Sequence, residues 1–391
     1  MVSSRANVDQ WQPVINSERY TDLDILRGVA LLGVLLVNLL SDFRIPLAEH
    51  LLVFHTQPDP ADRITDLAAA GLLEFKAMTI FSLIFGVGSS IFAERAATRG
   101  VNPLRFLARR YLVLLALGLC HLLLTWNGDI LTLYAVCGLL LLPCLRLNPT
   151  SLALVGLAGI AANFVIPWDF LWPGDAMLHQ LAGEAHSVYA KGAWGGILAF
   201  HAKETQHLIL PLLAASLPKT WGLMALGAAI WRSGVFQDPK RHLDTLWAVV
   251  LLGGSLGAWA TVQTVSAAST GHPSPYPSRM LEAASYIPLA LALGAALLLA
   301  LQLPLVRRVA SIFQAAGQMA LTNYLMQSIL LSFVFYGLGL VGKLGSAAAV
   351  GVGLLLYAVQ LLLSALWLRR YRFGPVEWLW RSLTYGRRQP M

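Results

Sequence analysis

The feature that most limits what this chain can fold into is a succession of apolar runs, each close to the length of a membrane crossing. A bilayer's ~30 Å hydrocarbon core takes roughly 20 apolar residues in a helix, and inside lipid every backbone N–H and C=O must be satisfied within the element itself. Such runs fall at about 24–41, 70–93, 107–126, 130–146, 150–168, 208–232, 244–263, 283–304, 312–337 and 345–368. They predict an all-α, polytopic membrane helix bundle of about ten transmembrane helices. Composition agrees: 57% of the 391 residues are hydrophobic and 12% charged, whereas soluble domains run near 45–50% apolar and about 25% charged. No separate soluble domain fits. The expected organisation is one integrated membrane domain with an N-terminal half, residues 1–205 (spans 1–5 and an outer amphipathic loop), and a C-terminal half, residues 206–391 (spans 6–10 and a tail).

An even number of spans puts both termini on one side. The leader through Arg27, the 95–110 loop, Arg146, the 232–241 loop, Arg307, Arg308 and the tail share that side, so the positive-inside rule makes both termini cytoplasmic. The excess of 28 Lys and Arg over 20 Asp and Glu resides in these clusters, which removes nucleic acid as a partner. Cys120, Cys137 and Cys144 lie in apolar segments without CxxC spacing; they read as small core residues and not as a disulfide framework or zinc site. The first apolar run follows a polar leader and lacks a small-residue cleavage site, so it reads as a retained helix. On the opposite side lie the loops 42–69, 169–207 and 264–282, the last with the Pro-rich stretch 272–278. The 174–205 segment mixes Trp, Leu and Tyr with Asp, His and Lys, which predicts a short amphipathic helix on the outer interface. No internal repeat supports a two-repeat transporter architecture.

Polar and ionisable groups inside spans are costly and mark interior or water-filled sites. Counting from helix ends places Asn38, Glu74, Lys76, His121 and Asp129 in the outer half of the bilayer, with Lys219 near the midplane in a span interrupted by Pro211 and Pro218. Each has a structural alternative. Glu74 and Lys76 equally fit an interfacial pair that snorkels outward, His121 fits a core histidine bonded to a carbonyl, and Asp129 fits the N-cap of span 4. Asp24 and Arg27 fit a helix-face pair. The Gly86-Val87-Gly88-Ser89-Ser90 stretch lacks the context of a phosphate loop and reads as helix packing. Ser216-x-x-Lys219 lacks the other motifs of penicillin-binding enzymes. His50 and His55 are second-rank candidates, and Gly253-x-x-x-Gly257 serves either a dimer face or internal packing.

Leu23-Asp24-Ile25-Leu26-Arg27-Gly28 running on to Asn38, Lys76 with Ser82-Leu83-Ile84-Phe85-Gly86, and His121 with Trp126-Asn127-Gly128-Asp129-Ile130-Leu131 together resemble the YeiB-like family of bacterial inner-membrane proteins, whose function is unassigned. The stretches 318–325 and 374–381 add to the likeness, which spans almost the whole chain. More distantly, spans 1 and 2 look like the opening of heparan-alpha-glucosaminide N-acetyltransferase and its relatives, membrane-embedded enzymes that take acetyl-CoA from the cytosolic side and acylate a sugar on the far side. In those enzymes the base is a histidine of the first outer loop, a place that His50 or His55 would fill here. The YeiB-like pattern carries no histidine there and does carry one at His121.

The expectation that follows is an acyltransferase moving an acyl group from cytoplasmic acyl-CoA to a periplasmic or lipid-linked small-molecule or glycan acceptor. Its base would be His121, a role for which the imidazole side chain is generally suited, oriented by Asp129. Oxyanion donors would come from Asn38, Asn323 or Lys76, with Glu74 in the same catalytic group. Arg27, Arg105, Arg109 and Arg110 would hold the phosphates of the acyl-CoA co-substrate, and Asn323, Gln327, Lys219 and Trp126 would line the substrate site. No metal is expected. The alternatives are a carrier or flippase for an amphipathic small molecule, or a non-catalytic accessory protein. The bilayer of the bacterial inner membrane is the expected setting, with a homodimer as a further possibility.

Overall fold

A computed structural model describes residues 20–52, 59–98, 100, 102–270 and 278–391. The readings placed on His55, on residues 272–277 and on the polar leader lie outside the described residues. Among the described residues every regular element is helical.

The first helix, α1 (Thr21–Asn38), runs on through one π-helical turn (Leu39–Phe43); α2 (Leu47–Leu52) and α3 (Pro60–Leu72) then lead into α4 (Lys76–Thr98). Next come α5 (Pro103–Leu124), α6 (Leu131–Leu141) and α7 (Pro149–Val165). An Asn N-cap followed by Pro starts both α5 and α7: Asn102 accepts from the Leu104 amide and Asn148 from that of Ser151. Pro suits that place because its missing N–H is one the helix could not use. The chain continues through α8 (Asp175–Lys191), α9 (Trp194–Glu204), α10 (Leu210–Arg232), α11 (Leu243–Ala248), α12 (Gly254–Thr270) and α13 (Ser278–Ala300). It closes with α14 (Pro304–Ala310), α15 (Ile312–Gln318), α16 (Ala320–Leu331), α17 (Ser346–Leu368) and α18 (Pro375–Tyr385).

Among the described residues, seven helical stretches are long and apolar enough to cross a membrane. The pair α15 and α16, bent by 85°, makes an eighth if taken as one span. The shorter apolar helices α6 and α7 have 11 and 17 residues. Each apolar run of the sequence therefore has a helix, and the protein is an all-α, multi-pass membrane bundle. Close crossings hold it together. A Cβ on Gly86 would lie 1.9 Å from the Met224 carbonyl oxygen, and one on Gly317 would lie 1.8 Å from that of Asp24. These glycines let α4 meet α10, and α15 meet α1, backbone against backbone, the small-residue packing that membrane helices use.

Three local expectations need correction. The 174–205 segment forms two helices, α8 and α9, hinged at Gly192 with φ +62°. Leu178, Leu181, Ala185 and Tyr189 are buried in the main core, so α8 belongs to the bundle instead of lying loose on an interface. Pro211 and Pro218 do not break their span either. A π-turn at Thr205–Ile209 precedes Pro211, and the helix continues past Pro218 to Arg232. The broken span is α15–α16, which contains no proline. Of the cysteines only Cys137 is buried; Cys120 faces outward from α5. Gly253 and Gly257 pack on α13, a Cβ on Gly257 falling 2.6 Å from that of Leu289, so within the chain this motif is spent on internal packing.

Candidate active site

His121 occupies the last turn of α5 and is 4% exposed. After it the chain turns through Trp126-Asn127-Gly128-Asp129 and re-enters as α6. Asp129 Oδ2 accepts from both the amide and the hydroxyl of Thr132, each at 2.7 Å, tying down the start of α6. Its Oδ1 lies 2.8 Å from His121 Nδ1. One carboxylate thus caps a helix and orients an imidazole. The other ring nitrogen, Nε2, lies 2.6 Å from Ser328 Oγ on α16. With Asp129 ionised and the ring neutral, the Asp129 contact would place the ring proton on Nδ1 and leave Nε2 to accept from the serine hydroxyl. Asp129, His121 and Ser328 are all buried. Ser328 drew no attention in the sequence because serine is common in membrane helices, and nothing local ties it to a histidine 207 residues away.

A cavity of about 290 Å³ leads to this group. Its lining follows α1 from Tyr20 to Val34 and α4 from Arg95 back to Phe81, about 21 Å along each helix at 1.5 Å per residue. One end has an excess of cations, with Arg27, Arg95, Arg110 and Arg381 in the wall beside the carboxyls of Asp24 and Glu377. The middle is aromatic, with Phe85, Tyr111 and Tyr134, and the far end reaches Ile130 and Tyr324. The Tyr324 ring stands 5.5 Å from the His121 ring, and its hydroxyl accepts from the Ile130 amide at 3.2 Å. One side chain therefore separates the end of the cavity from the imidazole.

The cationic end is built by α18 as much as by α1. The Arg110 guanidinium lies 3.6 Å above the Trp380 ring, and the Trp380 indole donates to the Arg110 carbonyl at 2.9 Å. Arg27 pairs with Asp24 at 3.0 Å. Glu377 accepts from the amides of Leu321 and Thr322 and from the Thr322 hydroxyl, so a carboxylate from α18 caps the first turn of α16 at the point where the span breaks. The positive end of that half-helix is the favoured place for it. Burial nonetheless pushes the Glu377 carboxyl above its usual range, against the opposing effect of those donors.

Other candidate residues are distributed differently from expectation. Arg105 and Arg109 are exposed and do not line the cavity, whereas Arg95 and Arg381 do; α5 turns the former pair away from its buried face. Lys76 donates to the Ala70 carbonyl at 2.8 Å, and Glu74 lies 3.6 Å from His50. That pair holds the α3–α4 joint, where Phe75 has φ +58°, and is not joined to His121. Lys219 sits over the rings of Phe75 and Tyr286 at 5.3 and 4.9 Å, facing α13 and not the histidine. Asn38 is half-buried where α1 passes into its π-turn. Asn323 donates to Ser364 at 2.9 Å and Gln327 to Gln360 at 2.8 Å, a polar ladder between α16 and α17 one face away from the imidazole.

Trp126 stands edge-on to His121, with ring centroids 6.1 Å apart, and opens onto a second buried polar group. Its indole donates to Asp42 at 2.8 Å, and neighbouring Asn127 donates to Glu204 at 2.8 Å. His201, bonded to Tyr189 at 3.2 Å, completes the group. Asp42 and Glu204 were not singled out in the sequence, since each sits at the polar edge of an apolar run where a solvated charge is the ordinary reading. Among the described residues no group of three or more His, Cys, Asp or Glu is placed to hold a metal ion.

Fold and site together define a multi-pass helical membrane protein with a buried carboxylate–imidazole–hydroxyl line at the end of a cationic cavity. The family model described as a protein of unknown function, DUF418, matches residues 230–387. The chain is 34% identical to the uncharacterized protein YxaH of Bacillus subtilis (strain 168), covering 97% of this chain and 98% of that one. It is 30% identical to the uncharacterized protein YeiB of Escherichia coli (strain K12), over 94% of this chain and 96% of that one. The chain belongs to the YeiB-like family. No solved structure matches it.

Proposed function

We propose that this protein is a membrane-embedded acyltransferase of the bacterial inner membrane. With both termini cytoplasmic, it moves an acyl group from cytoplasmic acyl-CoA to a hydroxyl or amine of a periplasmic or lipid-linked acceptor. The observation that carries this reading is the cavity, cationic at one end and ending one side chain from His121 at the other. Four arginines suit the phosphates of a nucleotide-bearing thioester, the aromatic middle suits its pantetheine and acyl portions, and a buried imidazole held by a carboxylate suits proton transfer from an acceptor. The Trp126, Asp42, Asn127 and Glu204 group beyond His121 offers carboxylate and amide partners for a hydroxylated or amino acceptor.

The test is acetyl-CoA and octanoyl-CoA binding and turnover by the full chain in nanodiscs, following thermal shift and free thiol release for wild type and His121→Ala. Binding with thiol release that needs His121 is the expected result. If neither thioester shifts the melting temperature and no thiol appears, the reading fails. The bent α15–α16 pair favours a second reading, a carrier, because half-helices commonly frame transported substrates. Transport of the CoA ester without thiol release would select it.

A further inference from the structure

We propose that Ser328 is the nucleophile of a two-step transfer and carries the acyl group as an ester before the acceptor receives it. This rests on the acyltransferase reading above and goes beyond it, since a base alone would suffice for direct transfer. Three observations point to the serine. Its Oγ lies 2.6 Å from His121 Nε2, closer than the 3.1 Å to the carbonyls of Tyr324 and Leu325 that a helical serine ordinarily satisfies. The histidine is held from behind through Nδ1 by Asp129 at 2.8 Å, which turns Nε2 toward the serine. Ser328 also lies one helical turn past Tyr324, the last residue of the cavity wall on that helix, which places it between the two buried polar regions. A nucleophile, a base within hydrogen-bond reach and a third group that orients the base make up the arrangement that activates a hydroxyl for covalent catalysis.

In the first step Ser328 Oγ bonds to the thioester carbonyl carbon while its proton passes to His121 Nε2. The carbon–sulfur bond breaks with its electron pair on sulfur, and the Nε2 proton moves to sulfur to release the free thiol. In the second step the acceptor oxygen or nitrogen bonds to the same carbon and gives its proton to Nε2. The carbon–Oγ bond then breaks, and the proton returns to Ser328. Tyr324 has to swing off the Ile130 amide for the acyl group to pass.

The experiment adds acetyl-CoA to the full chain in nanodiscs without acceptor, quenches in acid, and reads the protein mass, the modified peptide and the free thiol. Wild type should gain one acetyl group on the peptide containing Ser328, with a matching burst of thiol. Ser328→Ala should bind acetyl-CoA with an unchanged thermal shift but lose the adduct and slow thiol release by about 10²-fold or more. Ser328→Cys should gain an adduct that neutral hydroxylamine removes, which a serine ester resists; this chemical signature guards against a merely misfolded alanine variant. If wild type releases thiol from acetyl-CoA, gains no adduct, and Ser328→Ala matches its rate, no serine ester forms and the serine only positions His121, so the inference fails while the acyltransferase reading stands. If wild type neither binds acetyl-CoA nor releases thiol, that reading fails and takes the inference with it.

Discussion

At the scale of single residues, the cavity separates arginines that the sequence alone could not. All of them sit in basic clusters between apolar runs that charge asymmetry by itself would produce, and only the folded chain shows that Arg95 and Arg381 face the cavity while Arg105 and Arg109 do not. Arg95→Ala and Arg381→Ala should each weaken coenzyme A binding about tenfold, the cost of losing one charge-assisted phosphate contact. Arg105→Ala and Arg109→Ala should leave the dissociation constant within twofold. Isothermal titration in nanodiscs checks this, and equal effects in all four variants would remove the cavity as the binding site. Glu377 gives a pH prediction with a definite sign. Its folded pKa lies above the unfolded value, so between the two the folded protein holds more protons and the group's contribution to stability falls as pH rises. As pH rises above the ordinary carboxylate range the melting temperature should decline more steeply in wild type than in Glu377→Gln, which keeps the shape but cannot ionise. Parallel curves would contradict this. His121 and Asp129 were legible because they lie eight residues apart across one tight turn, whereas Ser328 and Glu377 act through partners on distant helices, and local pattern carries no such information.

Among the elements, apolar length identified where helices form, seven or eight of the described stretches being long enough to span, but where a helix breaks was not readable from proline. Pro218 lies within a continuous helix, while α15 and α16 part at Met319 because Glu377 supplies acceptors to the amides that the break exposes. The α4–α10 crossing makes the glycine pattern quantitative. Gly86→Ala would place a methyl group 1.9 Å from a backbone oxygen, so the helices must separate, at a cost of about 1–3 kcal/mol. A lowered melting temperature in detergent checks it, and an unchanged one would mean the crossing is looser than described. The ladder between α16 and α17 is a different kind of contact. A double-mutant cycle on Asn323→Leu and Ser364→Ala should give a coupling of about 0.5–1.7 kcal/mol, the range of interhelical hydrogen bonds in membranes. A coupling indistinguishable from zero would make these amides more available to a ligand than their hydrogen bonds imply.

Taken as a whole molecule, the bundle brings its first and last described segments to one end: Tyr20, Arg27, Trp380 and Tyr385 line the same cavity. A fluorescent protein fused after Met391 should therefore fold and fluoresce in the cytoplasm of a bacterial host, and an alkaline phosphatase fused there should stay inactive; the reverse pattern would invert the proposed orientation. The same closure has a consequence for how the protein is made. Membrane helices are delivered in chain order, so α1 enters the bilayer long before α15 seats against its glycine crossing or Trp380 stacks on Arg110. A ribosome that stops at Gly374 has completed every apolar helix and still left the cavity without one wall, because the 11 residues of α18 are what finish a wall begun at residue 20.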